Sequence, residues 1–179
     1  MTIDPQKIAF RKLQLNDLAL MYDWLNSPHV NRWYKRSPYT CQDICRKYEP
    51  RIRGEAPTRT FLILYGGDPI GYIQTYRISD HPHYNTHVGA DEHTAGVDLF
   101  IGEVDYLHKG FGTAALRRFL EEEIFCDESF STCLVGPEPA NRAAIRCYEK
   151  VGFRYWKTVQ FAGDAKDEFL MRISREDLL

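Results

Sequence analysis

Hydrophobic and polar positions alternate along the chain in a way that predicts six or seven strands. The first strand covers Ile8 to Leu13, and the next two, Phe61 to Tyr65 and Ile70 to Ile78, are separated by GGD. Glycine reaches positive φ without strain, so this spacing indicates a hairpin. The later β-rich runs are GVDLFIG (96–102), STCLV (131–135), RYWKTVQF (154–161) and EFLMRI (168–173).

A first helix is predicted between Asn16, the expected N-cap, and Ser27-Pro28, because proline disfavours helical backbone in the residue before it. In a second helix Thr40 and Asp43 have the spacing of a capping box. Pro50 is expected to bend or shorten that helix before Gly54. The apolar positions of the first helix recur at helical spacing: Leu18, Met21, Tyr22 and Leu25.

Two later helices complete a mixed α/β order without internal repeats, consistent with one domain over residues 1–179. One has an apolar stripe, and the other is NRAAIRCYEK (141–150), with Gly152 well placed as its C′ residue. The polar segment from Asp80 to Thr94 is predicted to be a loop. The stripe consists of Leu116, Phe119, Leu120 and Ile124.

Composition narrows the class of protein. The formal charge of −2 gives no basis for nucleic-acid binding, and no apolar stretch approaches the roughly 20 residues that span a bilayer. The amino terminus lacks the pattern of a signal peptide, so a cytoplasmic protein is expected. Five cysteines without paired CxxC spacing indicate neither a disulfide framework nor a cysteine zinc site.

Glycine is a poor helix former, yet Gly110 and Gly112 stand at the start of the striped helix in LHKGFGTAALRRFL (107–120). Backbone N–H groups of such a loop can converge on one point, and the helix start adds unpaired N–H groups. This arrangement favours an anion, best a phosphate. The stretch lacks the GxxxxGK[ST] of a P-loop and the third glycine of a dinucleotide fingerprint. A loop that merely turns a corner is the competing interpretation.

HKGFGT (108–113) and NRAAIRCYEKVGF (141–153) together resemble the GNAT superfamily of acyl-CoA-dependent N-acetyltransferases. Further stretches look like aminoglycoside 6′-N-acetyltransferases: YDWLNSPHVNRWY (22–34), PIGYIQTY (69–76), GVDLFIG and AIRCYEKVGF (144–153). The resemblance covers nearly the whole chain. It implies the GNAT α/β (α+β) fold, a mixed central sheet flanked by helices, with acetyl-CoA as co-substrate.

The resemblance also implies roles for residues at matching positions. Asn141 would contact the pantetheine arm, and Tyr148 would lie beside the thioester sulfur and act as general acid, although helical tyrosines are more often core residues. Backbone N–H groups of Leu99, Phe100 and Ile101 would orient the pantetheine and polarise the carbonyl. The loop expected to hold the pyrophosphate contains His108, Lys109, Gly110, Phe111, Gly112 and Thr113.

Asp98 is the candidate base. It lies on the opposite face from Val97, Leu99 and Ile101 in an otherwise apolar strand, where a carboxylate is costly to bury without a partner or a purpose. The resemblance places a catalytic acid here; a salt bridge or a solvent-facing position is the alternative. Such an acid would take a proton from a charged substrate amine.

A small polyamine or amino-sugar substrate should be met by acids and aromatic rings. The candidate substrate-binding residues are Trp33, Tyr34, Gln74, Tyr76 and Asp98, with Asp80, Asp91 and Glu92 as additional contributors from the loop. Trp33 and Tyr76 are alternatively ordinary core aromatics. The near-neutral net charge argues slightly against a polycationic substrate.

Two positions depart from the family pattern. Leu107 stands where the loop usually has Gln or Arg. Gly136 stands where the aminoglycoside branch can have an acid before the proline, and Glu138 lies nearby in sequence. No metal is expected, because the four histidines of segment 80–94 lack a supporting scaffold; they are His81, His83, His87 and His93.

The sequence therefore predicts an acetyl-CoA-dependent N-acetyltransferase that acts on the 6′-amine of aminoglycosides by direct attack. Cys147 has no adjacent histidine that would activate it for a covalent intermediate. Two alternatives stay open: a GNAT enzyme for another amine, such as a siderophore precursor, a polyamine or a protein amino group, and a non-catalytic acyl-CoA-binding module. We expect a monomer or homodimer without nucleic-acid or membrane partners.

Overall fold

The computed structural model describes residues 3–161 and 166–178. Within these ranges the strands are β1 (Ile8–Lys12), β2 (Arg59–Tyr65), β3 (Asp68–Arg77), β4 (Thr94–Ile101), β5 (Thr132–Val135), β6 (Arg154–Val159) and β7 (Glu168–Ser174). They form a mixed sheet, as predicted, and the order of its strands is β1-β2-β3-β4-β5-β7-β6. The α-helices are α1 (Leu18–Asn26), α2 (Pro28–Asn31), α3 (Cys41–Ile52), α4 (Pro82–Val88), α5 (Phe111–Phe119), α6 (Arg142–Val151) and α7 (Arg175–Leu178). No helix in the described ranges is both long and apolar enough to cross a membrane.

The chain divides into two compact units, one with residues up to 74 and 99–112, the other with 75–98 and from 113 onward. In the first unit β1 and β2 pair antiparallel, and Gly102 passes so close to Trp24 that a Cβ would lie 2.3 Å from its ring. Trp24 also donates its indole N–H to Glu103 at 2.8 Å. The buried core of this unit contains Leu13, Met21, Trp24, Leu25, Val30, Tyr39, Ile44, Tyr48, Leu62, Tyr72 and Phe100.

One expectation for the first unit is wrong. Asn16 does not cap α1, because a 3₁₀ turn, Leu15–Asp17, comes first and Asp17 accepts the Gln14 N–H at 2.8 Å. Pro50 lies in the last turn of α3, which ends two residues later at Ile52, before Gly54. The Thr40–Asp43 capping box is confirmed.

The predicted loop between Asp80 and Thr94 is wrong, because it contains α4 in the second unit. Pro82 occupies the first position of this helix, and Gly89 ends it in the left-handed region at φ 66°. Val88 is fully buried beside Leu134 and Leu170. The buried Val88, the proline at the start and the glycine at the end stabilise a helix here, although most residues of the segment are polar.

The remaining strands of the second unit are those predicted. β4 pairs parallel with β5, while β7 pairs antiparallel with both β5 and β6. Gly152 caps α6 at φ 121°, as expected. α5 continues into a π-helix, Leu120–Ile124. The predicted stripe is fully buried: Leu116, Phe119, Leu120 and Ile124.

Candidate active site

Two carboxyl groups and three tyrosines belong to one group of interacting side chains in the second unit. Asp98 is half-buried on β4, and Glu168 is the first residue of β7. Tyr84 of α4 donates a hydrogen bond from Oη to Oε2 of Glu168 at 2.6 Å. The carboxyl of Glu168 lies against Gly136, where a Cβ atom would be 2.4 Å from Oε2. Glu168 therefore uses space that a side chain at 136 would need.

The environment of Glu168 favours its neutral form. Burial raises the pKa of Glu168 to about 7; the negative charge of Asp98 adds to this effect, while the Tyr84 hydrogen bond opposes it. Burial and the charge of Glu168 raise the pKa of Tyr84. Tyr84 consequently keeps its proton and acts as the donor, whereas Glu168 exchanges its proton close to neutral pH.

The charge of Asp98 acts on several neighbours. Burial is the main cause that raises the pKa of Tyr76 and of Cys133, and the negative charge of Asp98 is the next. The predicted base therefore lies near groups that are neutral at physiological pH. Such surroundings strengthen its interaction with a cationic ligand.

Tyr148, the predicted general acid, is buried on α6 with its ring 5.9 Å from that of Phe153. Burial, Cys147 and Asp98 together raise the pKa of the Tyr148 phenol. The hydroxyl thus retains a proton at neutral pH. A protonated phenol has the form that donation to a leaving thiolate requires.

Asn141 has a structural role that the sequence analysis did not assign. It is the N-cap of α6, and its Oδ1 accepts the Ala144 N–H at 3.2 Å. Cys147, one turn later, accepts a hydrogen bond from Thr113 Oγ1 at 3.3 Å. Burial raises the pKa of the Cys147 thiol, which agrees with its expected lack of nucleophilic function.

The glycine loop contains two residues with positive φ just before a helix. His108 and Gly110 both take positive φ, 57° and 92°, and α5 begins at the next residue, Phe111. His108, Lys109 and Gly110 are exposed, while Phe111 is buried with its ring 4.8 Å from Tyr65. The buried Phe111 ring fixes the position of the loop. The exposed residues 108–110 come directly before the start of α5, and the unpaired N–H groups of a helix start favour an anion.

The strand residues predicted to contact the pantetheine belong to the first unit. The Phe100 ring is buried and stacks on Tyr72 at 5.5 Å, so that side chain forms part of the core. His29 Nε2 lies 3.2 Å from the carbonyl oxygen of Ile101. The expected role of Leu99 to Ile101 concerns backbone N–H groups and stays a prediction.

Three candidate substrate residues also lie in the first unit. Trp33 is half-buried beneath the Arg32 guanidinium, 4.7 Å from the ring centroid. Tyr34 packs edge-on against Phe100 at 5.6 Å. Gln74 Oε1 accepts hydrogen bonds from Arg51 at 2.6 Å and from Tyr72 at 2.7 Å.

Tyr76 belongs to the second unit and packs on Gly96, where a Cβ would lie 2.6 Å from the tyrosine ring. Of the loop acids, Asp80 and Glu92 are exposed, and Asp91 accepts hydrogen bonds from His93 N–H at 3.0 Å and Thr94 Oγ1 at 2.6 Å. Asp91 thus stabilises a turn. The part of the chain that the structure describes contains no cluster of three or more metal-ligating side chains.

Glu168 and Tyr84 are not among the residues predicted from the sequence. Glu138, which lies near Gly136 in sequence, pairs with Lys166 at 2.7 Å. The sequence signal that could have indicated Glu168 is Gly136, because a glycine where relatives can have an acid leaves space that another side chain can fill. The sequence did not reveal which strand lies beside it.

Comparisons with known proteins agree with this geometry. Residues 14–161 match the acetyltransferase (GNAT) domain family. The chain is 31% identical over 154 residues to aminoglycoside N(6′)-acetyltransferase type 1 of Klebsiella pneumoniae, covering 85% of this chain and 76% of that protein. It is also similar to the crystal structure of aminoglycoside acetyltransferase AAC(6′)-Ib with coenzyme A and kanamycin, with a TM-score of 0.81, 29% identity and coverage of 95% and 96% of the two chains. The chain therefore belongs to the GNAT acetyltransferase family.

Proposed function

We propose that this protein transfers the acetyl group of acetyl-CoA to the 6′-amine of aminoglycosides. The observation that carries the proposal is the presence of Asp98 and Glu168 with the neutral phenol of Tyr148 in one compact unit. Carboxylates attract a substrate ammonium group, and a phenol can protonate a thiolate. The relatives named above supply the identity of the acceptor.

The glycine loop fits the phosphate end of acetyl-CoA. His108 to Gly110 are exposed beside the start of α5, and the positive φ of His108 and Gly110 gives the loop a turn that suits a diphosphate. Within the first unit, Gly112 and the backbone of residues 99–101 are the further candidates for coenzyme contacts. Within the second unit, the candidates are Thr113 and, for the pantetheine arm, Asn141. Acetyl-CoA supplies an electrophilic carbonyl and a thiolate leaving group.

Asp98 and Tyr148 divide the proton transfers. The Asp98 carboxylate accepts a proton from the acceptor's ammonium group, directly or through water, so that the nitrogen lone pair becomes available. The new bond joins this nitrogen to the acetyl carbon, the carbon–sulfur bond breaks, and the nitrogen loses its second proton to water as the amide forms. Tyr148 Oη gives its proton to the departing sulfur. Positioned acid–base groups of this kind typically contribute about 10²–10⁴-fold to the rate.

Trp33 and Tyr34, the aromatic candidates of the first unit, would have only a supporting role. The face of Trp33 already holds Arg32, and the Lys47 ammonium lies 5.8 Å from the centre of the Tyr34 ring. A second cation on those faces would be repelled. Attraction of a polycationic substrate therefore rests chiefly on the carboxyl groups of the second unit.

A reducing, cytoplasmic setting agrees with the five cysteines, which are all free. Two of them, Cys41 and Cys126, are exposed and would be vulnerable to oxidation elsewhere.

The test is thiol release from acetyl-CoA with a panel of amines. The panel contains aminoglycosides that carry a 6′-amine, aminoglycosides with a 6′-hydroxyl, spermidine and lysine. We expect release only with the 6′-amino compounds. Release with spermidine or lysine alone would assign another acceptor, and acetyl-CoA binding without release for any amine would indicate a non-catalytic module.

A further inference from the structure

The Glu168 carboxyl occupies the space beside Gly136, the residue that follows β5. A Cβ atom built on Gly136 would lie 2.4 Å from Oε2 of Glu168, 3.0 Å from its Cδ and 3.2 Å from Cδ2 of Leu170. Distances below 3 Å are incompatible with van der Waals contact between such atoms. A side chain at 136 would therefore displace the Glu168 carboxyl from its present position.

The neighbouring strand holds Glu168 in this position. β7 pairs antiparallel with β5, with Val135 opposite Met171, and the Phe169 N–H donates to the Pro137 carbonyl at 2.8 Å. These contacts fix the backbone on both sides of that space. The Glu168 carboxyl consequently reaches the end of β5 from β7.

Helix α4 orients the carboxyl. Tyr84 donates to Oε2 at 2.6 Å, and its ring lies parallel to that of Phe161 with centroids 6.1 Å apart. A hydrogen bond from a buried phenol restricts the carboxyl to one orientation. Glu168 is thus a positioned group with a dedicated donor.

The pKa of Glu168 depends on the charges of its neighbours, so a cation that binds nearby would change it. Asp98 on β4 raises its pKa, Tyr84 on α4 lowers it through the hydrogen bond, and the phenol of Tyr76 on β3 is neutral. An ammonium group placed between two carboxyls lowers the pKa of each. Arrival of a cationic acceptor therefore releases the proton of Glu168 to solvent and leaves a carboxylate.

We propose that Glu168, presented by β7 and oriented by Tyr84, binds the ammonium group of the acceptor in place of an acid at position 136. This inference rests on the proposed function, since it assigns the second carboxylate of the same site. Asp98 serves as the base, and Glu168 holds the amine beside it. The second carboxylate of the site thus comes from β7 and not from the residue that follows β5.

The first test separates binding from chemistry. Glu168→Gln keeps the shape and the ability to accept from Tyr84 but cannot become anionic. We expect the KM for the aminoglycoside to rise about ten-fold or more, because a buried charged partner is lost, while the KM for acetyl-CoA is unchanged. Glu138→Gln is the matched control, since Glu138 is paired with Lys166. An unchanged aminoglycoside KM in Glu168→Gln would overturn the proposal.

The second test moves the acid. In a Glu168→Ala background the volume beside Gly136 is open, and Gly136→Asp should restore much of the lost aminoglycoside affinity. Gly136→Asp alone should lower the thermal midpoint of unfolding, because both carboxyls then compete for one space. A folded double variant that recovers no affinity contradicts the exchange of positions.

The two proposals fail in different ways. If wild-type protein releases thiol with spermidine or lysine and with no aminoglycoside, the proposed acceptor is wrong, and the same variants are assayed with the amine that is accepted. A raised KM for that amine in Glu168→Gln still supports the role of Glu168. Absence of turnover with every amine overturns both proposals.

Discussion

Replacing Glu168 by glutamine should remove a pH-dependent loss of stability. The folded protein raises the pKa of Glu168 from its ordinary 4.5 to about 7. Between these values the unfolded chain releases the proton and the folded protein keeps it, so the free energy of unfolding falls as pH rises. One pKa unit corresponds to about 1.4 kcal/mol, and the whole shift is therefore worth up to about 3 kcal/mol.

Urea unfolding followed by circular dichroism between pH 4 and pH 8 measures this effect. Groups common to both proteins cancel in the difference between Glu168→Gln and wild type. That difference should change by up to about 3 kcal/mol in favour of the variant as pH rises, mostly between pH 4.5 and 7. Glu121→Gln, at an exposed helical position, should show a flat difference. A flat difference for Glu168→Gln as well would refute the buried, proton-retaining carboxyl.

Other substitutions test the remaining parts of the site. Gly110→Val should weaken acetyl-CoA binding, measured by calorimetry, about ten-fold or more, since a branched residue at φ 92° costs about 1–2 kcal/mol and its Cβ would lie 3.3 Å from Ile3 Cδ1, so the loop has to leave its present conformation. Asp98→Asn should lower kcat about 100-fold or more with acetyl-CoA affinity intact; an unchanged kcat would remove Asp98 from the mechanism. Tyr84→Phe should raise the pKa of Glu168, because the lost hydrogen bond lowers it, and should move the acidic limb of the kcat/KM profile for the aminoglycoside to higher pH.

Local signals predicted most of the fold. The GGD turn, the Thr40–Asp43 box and Gly152 act within a few residues, so their effect is visible in sequence. The segment containing α4 was misassigned because polar composition outweighed two short-range signals, Pro82 and Gly89. The anchor of that helix, Val88, packs on strands that are distant in sequence.

The candidate site was predictable from sequence where a residue is recognisable within its own strand or helix. Asp98 on a strand and Tyr148 on a helix were identified from their segments and from family resemblance. Glu168 was not, because its position depends on β7 lying beside β5, an adjacency of strands that are not consecutive in the chain. The orienting donor, Tyr84, comes from the helix that was predicted to be a loop.

The most direct test of the central claim is the position of the acetyl group in the product. Wild-type protein, acetyl-CoA and kanamycin are incubated, and the purified product is analysed by mass spectrometry and two-dimensional NMR. The account predicts a single added acetyl group on the 6′ nitrogen. Acetylation at another nitrogen or at an oxygen, or recovery of unmodified kanamycin, would contradict it.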